Sequence, residues 1–191
     1  KTRFPSWDEV LPADISDLVE SVRCCGLADI RANRIRTILT TLLQDKANGN
    51  KHYALSNGWT SLDNSLEHLR FVSDEIVKKE LLRFKGVGPK TVACVLMFCL
   101  GRSEFPVDVH VWRITRTRLK WAPMKANREQ TYEHLNSRIP AELKFNLHVA
   151  LVEHGKHCPK CCAPGKNPRR EILGPCPLGS MKKQFERCVT I

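Results

Sequence analysis

The chain has 191 residues, with 31 Lys and Arg against 20 Asp and Glu, a net charge of +11; that is length for one domain or two small lobes. The basic excess favours a polyanionic partner, nucleic acid first, with a membrane surface or plain solubility as the lesser readings. No apolar run approaches the roughly 18 residues of a membrane-crossing helix, and Lys1 to Leu11 is too mixed and polar for a signal peptide.

Lys1 is not an initiator methionine, so the sequence reads as a processed chain or an excerpt. Asp14 is placed to cap a helix from Ile15 to about Cys25, with Ile15, Leu18, Val19 and Val22 inward. Gly26 ends it. A second helix is expected from Asp29 to Ala47. Ile35, Ile38, Leu39 and Leu42 form its apolar face, and Arg31, Arg34 and Arg36 its solvent side. Asn48-Gly49-Asn50 closes it. Lys51 to Asn64 is a poorly patterned loop with a turn signal at Asn57-Gly58 and Trp59 as an anchor. A short helix from Leu62 to Phe71 follows.

A helix from about Ser73 to Phe84 carries Val77, Leu81 and Phe84 on one face. Another starts at Pro89 with Val92, Val95, Leu96 and Cys99 on one face. Gly86-Val87-Gly88 lies between them, and glycine's tolerance of positive φ lets the chain reverse there. Proline suits a first helical position. Gly101 to Pro106 is a loop. A helix from Val109 to about Lys120 has Val111, Ile114 and Leu119 buried, with Arg113, Arg116 and Arg118 beside them. Asn127 caps a helix to about Arg138. Pro140 begins a last helix to about His154, with Leu143, Leu147, Ala150 and Leu151 on its face. No strand is expected, so the fold class is all-α.

A glycine hairpin opening a helix presents backbone N–H groups at the positive end of the helix dipole, where a phosphate binds without any side chain. The plain alternative is an ordinary helical hairpin. The surrounding residues decide between them. Leu82, Gly86-Val87-Gly88-Pro89-Lys90-Thr91 and Val107-Asp108-Val109-His110-Val111-Trp112-Arg113 occur in the order and at the spacing of one family. Over roughly residues 5–157 the chain resembles the helix–hairpin–helix DNA glycosylases, in their endonuclease III branch.

The resemblance implies two helical lobes with a cleft. One spans residues 1–106 and holds the hairpin motif at about 73–101. The second spans 107–157, and a Cys-rich basic tail covers 158–191. Family members carry further helices upstream, including a glutamine-bearing segment that fills the gap left by the extruded base. Nothing before Lys1 supplies them. The implied activity is excision of a damaged base, by resemblance an oxidised pyrimidine, followed by cleavage at the abasic site. Lys90 is the implied nucleophile and Asp108 the catalytic carboxylate. Gly86, Val87, Gly88 and Thr91 are the implied backbone contacts, with His110 and Arg113 supporting them or the Asp108 loop. Trp112 reads as core. The partner is double-stranded DNA carrying a damaged base or an abasic site, bound by a monomer and not at a membrane.

Two rivals at the DNA stay open, and a basic protein–protein adaptor is a third, against which the hairpin speaks. A monofunctional glycosylase would use Asp108 and an activated water. A non-catalytic DNA-binding module would keep only the clamp.

Nine cysteines do not form a secreted disulfide pattern. Cys24, Cys25, Cys94 and Cys99 fall in expected helices, where free thiols are common. That places the chain in a reducing, intracellular compartment, and the DNA reading places it in the nucleus. Cys158, Cys161, Cys162 and Cys176 follow the helix ending in His154-Gly155, with Cys188 beyond. Many endonuclease III relatives hold a [4Fe–4S] cluster there through C-x6-C-x2-C-x5-C. Only the x2 step, Cys158 to Cys161, is present. A [4Fe–4S] cluster, zinc through Cys158, Cys161 or Cys162, and Cys176, and free thiols all remain open. Lys166, Arg169 and Arg170 beside them read as a DNA contact or an import signal.

Overall fold

The computed structural model describes residues 4–48, 66–163, 165 and 174–179. Among them are seven α-helices and no strand. The loop with Trp59, the start of the expected helix at Leu62, Lys166, Arg169, Arg170 and Cys188 lie outside the described residues. The chain divides into two units, residues 1–88 and 89–191. Within the second unit the Phe98 ring meets Phe145 and His148, each at 5.6 Å between centroids.

In the first unit, α1 (Ile15–Ser21) starts where expected, because Asp14 accepts from the Ser16 N–H at 2.8 Å. It ends early. Residues Arg23–Cys25 tighten into a 3-10 turn, and Gly26 (φ 68°) and Leu27 (φ 52°) take left-handed backbone before α2 (Ala28–Ala47). Val10, Leu18, Ala32 and Leu39 form the buried core of these elements, flanked by Ile15, Val19, Val22 and Ile35. Arg36, expected in solvent, instead donates to the Ala13 carbonyl and pins the segment before α1 to α2.

Ser73 caps α3 (Asp74–Leu82), and Val77, Leu81 and Phe84 are buried as the periodicity predicts. Glu80 is buried among them, which periodicity does not reveal. Its charge is matched by Arg83, whose guanidinium reaches Glu80 and Asp45 at 2.6 Å each. Asp45 lies near the end of α2, so this fork joins α2 to α3. Arg83 also lies over the Phe84 ring at 4.3 Å. After α3 the Val87 N–H donates to the Phe84 carbonyl at 3.0 Å, and Gly86 takes φ 88°. A side chain there would be strained, and its Cβ would lie 2.6 Å from Arg34 Nε.

In the second unit, α4 (Pro89–Cys94) passes into a π-helical segment, Val95–Cys99. The Leu100 N–H reaches back five residues to Val95, at 3.1 Å. This wider turn rotates the inner face. Leu96 and Met97 are buried, while Cys99, expected inside, is exposed. Next come α5 (Val109–Thr117), α6 (Arg128–Asn136) and α7 (Ala141–His157). Asn127 caps α6 in a reciprocal capping box with Gln130. Phe105, Val107, Val111, Ile114, Leu119, Leu135 and Leu151 form one core, which also takes in Cys158 and Cys161.

The inner face of α7 differs from the expectation. Leu143 is 51% exposed and Ala150 is exposed, while Lys144 and His148 are 7% and 5% exposed. The buried stripe is Lys144, His148, Leu151 and Gly155, spaced four, three and four apart. Each polar member has a partner that offsets its burial. Lys144 donates to the Ser103 carbonyl and to Asn136 Oδ1, both at 3.0 Å.

Only Glu80 of this fork is buried, and removing it leaves the part-exposed Arg83 with Asp45 alone. Glu80→Ala should lower unfolding free energy by about 1–3 kcal/mol. Equilibrium urea unfolding would measure it, and an unchanged midpoint would show that the fork holds nothing together.

Candidate active site and metal centre

Lys90 is the second residue of α4 and is exposed. Thr91, beside it, is also exposed. Asp108 is the N-cap of α5: its Oδ1 accepts from the N–H groups of His110 at 2.9 Å and Val111 at 2.8 Å. A cap and a reactive carboxylate are compatible here, because the second oxygen is not part of the cap.

The loop before Asp108 is held from several sides. Glu104, Phe105, Pro106 and Val107 are buried. The Phe105 N–H donates to Asn136 Oδ1 at 2.9 Å, and the Tyr132 hydroxyl donates to Glu104 at 2.5 Å. His148 closes the set, pairing through Nδ1 with the Pro106 carbonyl at 2.8 Å. This backbone partner fixes the N–H on Nδ1. The His148 ring lies within reach of both the Asp108 and the Lys90 charges. Burial, the largest effect, holds its pKa below the ordinary histidine value; the Lys90 ammonium acts in the same direction, and the Pro106 carbonyl and Asp108 oppose it. The charges of Lys90 and Asp108 are thus both felt by one buried imidazole of α7. The sequence reading missed His148 because it followed apolar residues along that helix.

His110 and Arg113, expected to support the backbone contact or the Asp108 loop, hold the helix that Asp108 caps. Arg113 Nε donates to the Cys161 carbonyl at 3.1 Å, and Nη2 donates to the carbonyls of Cys161 and of Gly155, the latter at 3.4 Å. His110 sits against Gly155, where an added Cβ would come 2.7 Å from the His110 Cβ. The pair locks α5 to the end of α7. Trp112 is structural, as expected: its indole donates to the Ala126 carbonyl at 3.0 Å, and Arg116 lies over its ring at 4.2 Å. In the hairpin, Gly88 leaves open space where a side chain would stand. The Val87 amide is engaged by Phe84, so the backbone donors left to an anion there are those of Gly86 and Gly88.

The tail cysteines converge, with one change from the expected set. His154, Cys158, Cys161 and Cys176 bring one ligand atom each to within 4.8 Å of one another. Cys161 Sγ is 3.7 Å from Cys176 Sγ, which is 3.5 Å from His154 Nε2. Cys162 is not in the group; its thiol donates to the Pro159 carbonyl at 3.3 Å. Cys158 and Cys161 face the same way because Pro159 begins a turn closed by the Cys161 N–H on the Cys158 carbonyl, at 3.0 Å. Burial lowers the pKa of His154, keeping it in the neutral form that binds metals. Burial, then the neighbouring Cys176, pushes the Cys161 thiol up to about 12. A histidine four residues before a cysteine, at a helix end, was the available signal for the fourth ligand.

No family model matches the sequence. The Arabidopsis thaliana protein At3g47830, provisionally named a DNA glycosylase, is 43% identical over 180 residues, covering 93% of this chain and 56% of that protein. The DNA glycosylase/AP lyase ROS1 of the same plant is 33% identical over 134 residues, covering 70% of this chain and 8% of ROS1. Endonuclease III of Sulfolobus acidocaldarius is 25% identical over 162 residues, covering 81% of this chain and 63% of that enzyme. A solved non-covalent endonuclease III–DNA complex superposes with a TM-score of 0.61 at 23% identity, over 96% of this chain and 73% of that one. The chain belongs to the endonuclease III-like helix–hairpin–helix DNA glycosylases. It spans little more than half the length of At3g47830 and under a tenth of ROS1.

Within this glycosylase fold, two features of α7 can be tested. Gly155→Ala pushes a methyl into His110 and should cost about 1–3 kcal/mol, read as a lowered melting temperature; no loss would mean that α5 and α7 do not approach so closely. His148 sets a pH dependence. Unfolded, it takes up a proton as pH falls through its ordinary value of 6.5; folded, only at lower pH. The stability it contributes is complete above that value and is lost as pH falls below it. The drop in urea midpoint between about pH 7.5 and about pH 5.5 should shrink in His148→Gln. An equal drop in both proteins would remove His148 as the cause.

Proposed function

We propose that this chain is a DNA N-glycosylase with AP-lyase activity, acting in base excision repair. The observation that carries the reading is the placement of Lys90 in the first turn of α4 and of Asp108 at the N-cap of α5, in a chain similar to these glycosylases. Among the relatives, ROS1 is named a glycosylase/AP lyase, and one superposed endonuclease III structure is titled a trapped covalent intermediate with DNA.

The chemistry follows from the two side chains. The target base must leave the helical stack before any side chain can reach its sugar. The Lys90 amine attacks C1′ as the bond to the base breaks, and the departing base takes the bonding electrons and then a proton. The Asp108 carboxylate stabilises the positive charge developing on the sugar or accepts the amine proton. The nitrogen lone pair then expels O4′, which takes up a proton as the sugar ring opens, and the Schiff base so formed makes the C2′ proton acidic; removal of that proton breaks the C3′–O bond and expels the 3′ phosphate. Lys90 stands at an exposed helix start, beside a hairpin whose Gly86 and Gly88 amides suit a phosphate. His148, held by Pro106, keeps the Asp108 loop and α7 in register. An oxidised pyrimidine is the proposed lesion. The proposed partner is duplex DNA, bound by a monomer, and the proposed location is the nucleus, in keeping with the plant relatives.

Borohydride trapping on a duplex with an abasic site tests the reading. A covalent adduct should form and be absent in Lys90→Ala. Asp108→Asn should slow turnover at least ~10²-fold while stability stays within about 0.5 kcal/mol, since asparagine caps helices as well as aspartate does. An adduct that persists in Lys90→Ala would reject Lys90 as the nucleophile. Base release without any adduct would indicate the Asp108-and-water mechanism. Salt-sensitive binding without either would leave a DNA clamp alone.

A further inference from the structure

The four converging side chains at the end of α7 lie where endonuclease III relatives hold a [4Fe–4S] cluster, and the geometry does not fit one. Each thiolate of such a cubane binds a different iron and points outward, so the ligand sulfurs stand roughly 6 Å apart. Here every ligand atom lies within 4.8 Å of the others, and one of the four is an imidazole. The spacing H-x3-C-x2-C-x14-C is likewise not the family's four-cysteine pattern.

A single tetrahedral ion fits instead. Zinc binds thiolate at about 2.3 Å and imidazole at about 2.0–2.1 Å, so a regular tetrahedron has edges of about 3.8 Å between sulfurs and about 3.5 Å between sulfur and nitrogen. The observed separations are 3.7 Å for Cys161 to Cys176 and 3.5 Å for Cys176 to His154. We propose that His154, Cys158, Cys161 and Cys176 bind one zinc ion as a closed structural site. Three thiols lose their protons when the ion enters. The complex then carries one net negative charge, and two arginines stand by it. Arg113 holds the Cys161 carbonyl, and Arg118 donates to that of Lys160. Four protein ligands leave no open position, so the ion does no chemistry on a substrate. Its work is mechanical: it fastens the segment around Cys176 to the C-terminal end of α7, in a core that already includes Cys158 and Cys161. The ligand set excludes Cys162, the nearest cysteine in sequence to Cys161.

The protein should be produced in medium containing both iron and zinc and then analysed for metals. About one zinc per chain is expected, with negligible iron and no visible absorbance. Zinc-edge X-ray absorption on the unaltered protein should resolve three sulfurs and one nitrogen. His154→Ala and Cys176→Ser should lose at least about nine-tenths of the zinc, and Cys162→Ser should keep it all. Stoichiometric iron with a broad yellow-brown absorption would overturn the proposal. So would a Cys161–Cys176 disulfide found by mass spectrometry, metal-free protein with all thiols titratable, or a four-sulfur zinc shell. If His154→Ala or Cys176→Ser fails to fold, the metal content and absorption spectrum of the unaltered protein, with Cys162→Ser, still decide.

Discussion

The guanidinium of Arg113 is the point on which the second unit turns. It leaves the side of α5 and holds the carbonyls of Cys161 and Gly155, so that the helix capped by Asp108 cannot move independently of the turn that follows α7. Planar, multiply donating and permanently charged, an arginine can hold two carbonyls of an irregular turn together; a lysine offers one point of attachment. The contact of His110 with Gly155 lies beside this clamp and works only because residue 155 has no side chain. One short sequence element therefore carries two duties. Its aspartate begins a helix by capping it, and its histidine and arginine fasten that helix to the end of α7.

This division explains what the sequence could and could not reveal. Features that are local in the chain were legible. Asp14 and Asn127 each cap a helix as expected, through a bond to a residue two or three positions on, and Ser73 and Asp108 do the same at helix starts that the sequence placed to within a residue. Val77, Leu81 and Phe84 follow the helical period because a hydrophobic stripe needs no knowledge of what it meets. Gly86 has positive φ because a reversal of that length demands it.

Features that depend on distant partners were not legible. Lys144 and His148 are buried because Ser103, Asn136 and Pro106 receive them, and no periodicity rule admits a lysine to a core. Arg113 looks like any exposed cation until the carbonyls that accept from it are known. The π-helical segment shifted the inner face from Cys99 to Met97, where a regular 3.6-residue period had been assumed. The fourth member of the converging His-and-Cys group was not read for a related reason. Proximity in sequence favoured Cys162, but the turn that turns Cys158 and Cys161 inward leaves the next residue facing its own backbone.

The widened turn at Val95–Cys99 has a consequence for chain length. Such a turn is an α-helix that has accommodated one surplus residue without breaking. The helix beginning at Pro89 thus holds slack of one position between its exposed start and the buried loop leading to Asp108. A chain one residue shorter across this stretch could revert to regular α-geometry and still deliver that loop to the same place. What would change is the phase of the side chains within the turn itself, and Phe98, whose ring edge meets His148, is the residue most directly affected. The stretch can therefore tolerate a change in length, whereas its surface next to the imidazole cannot stay the same when the length changes.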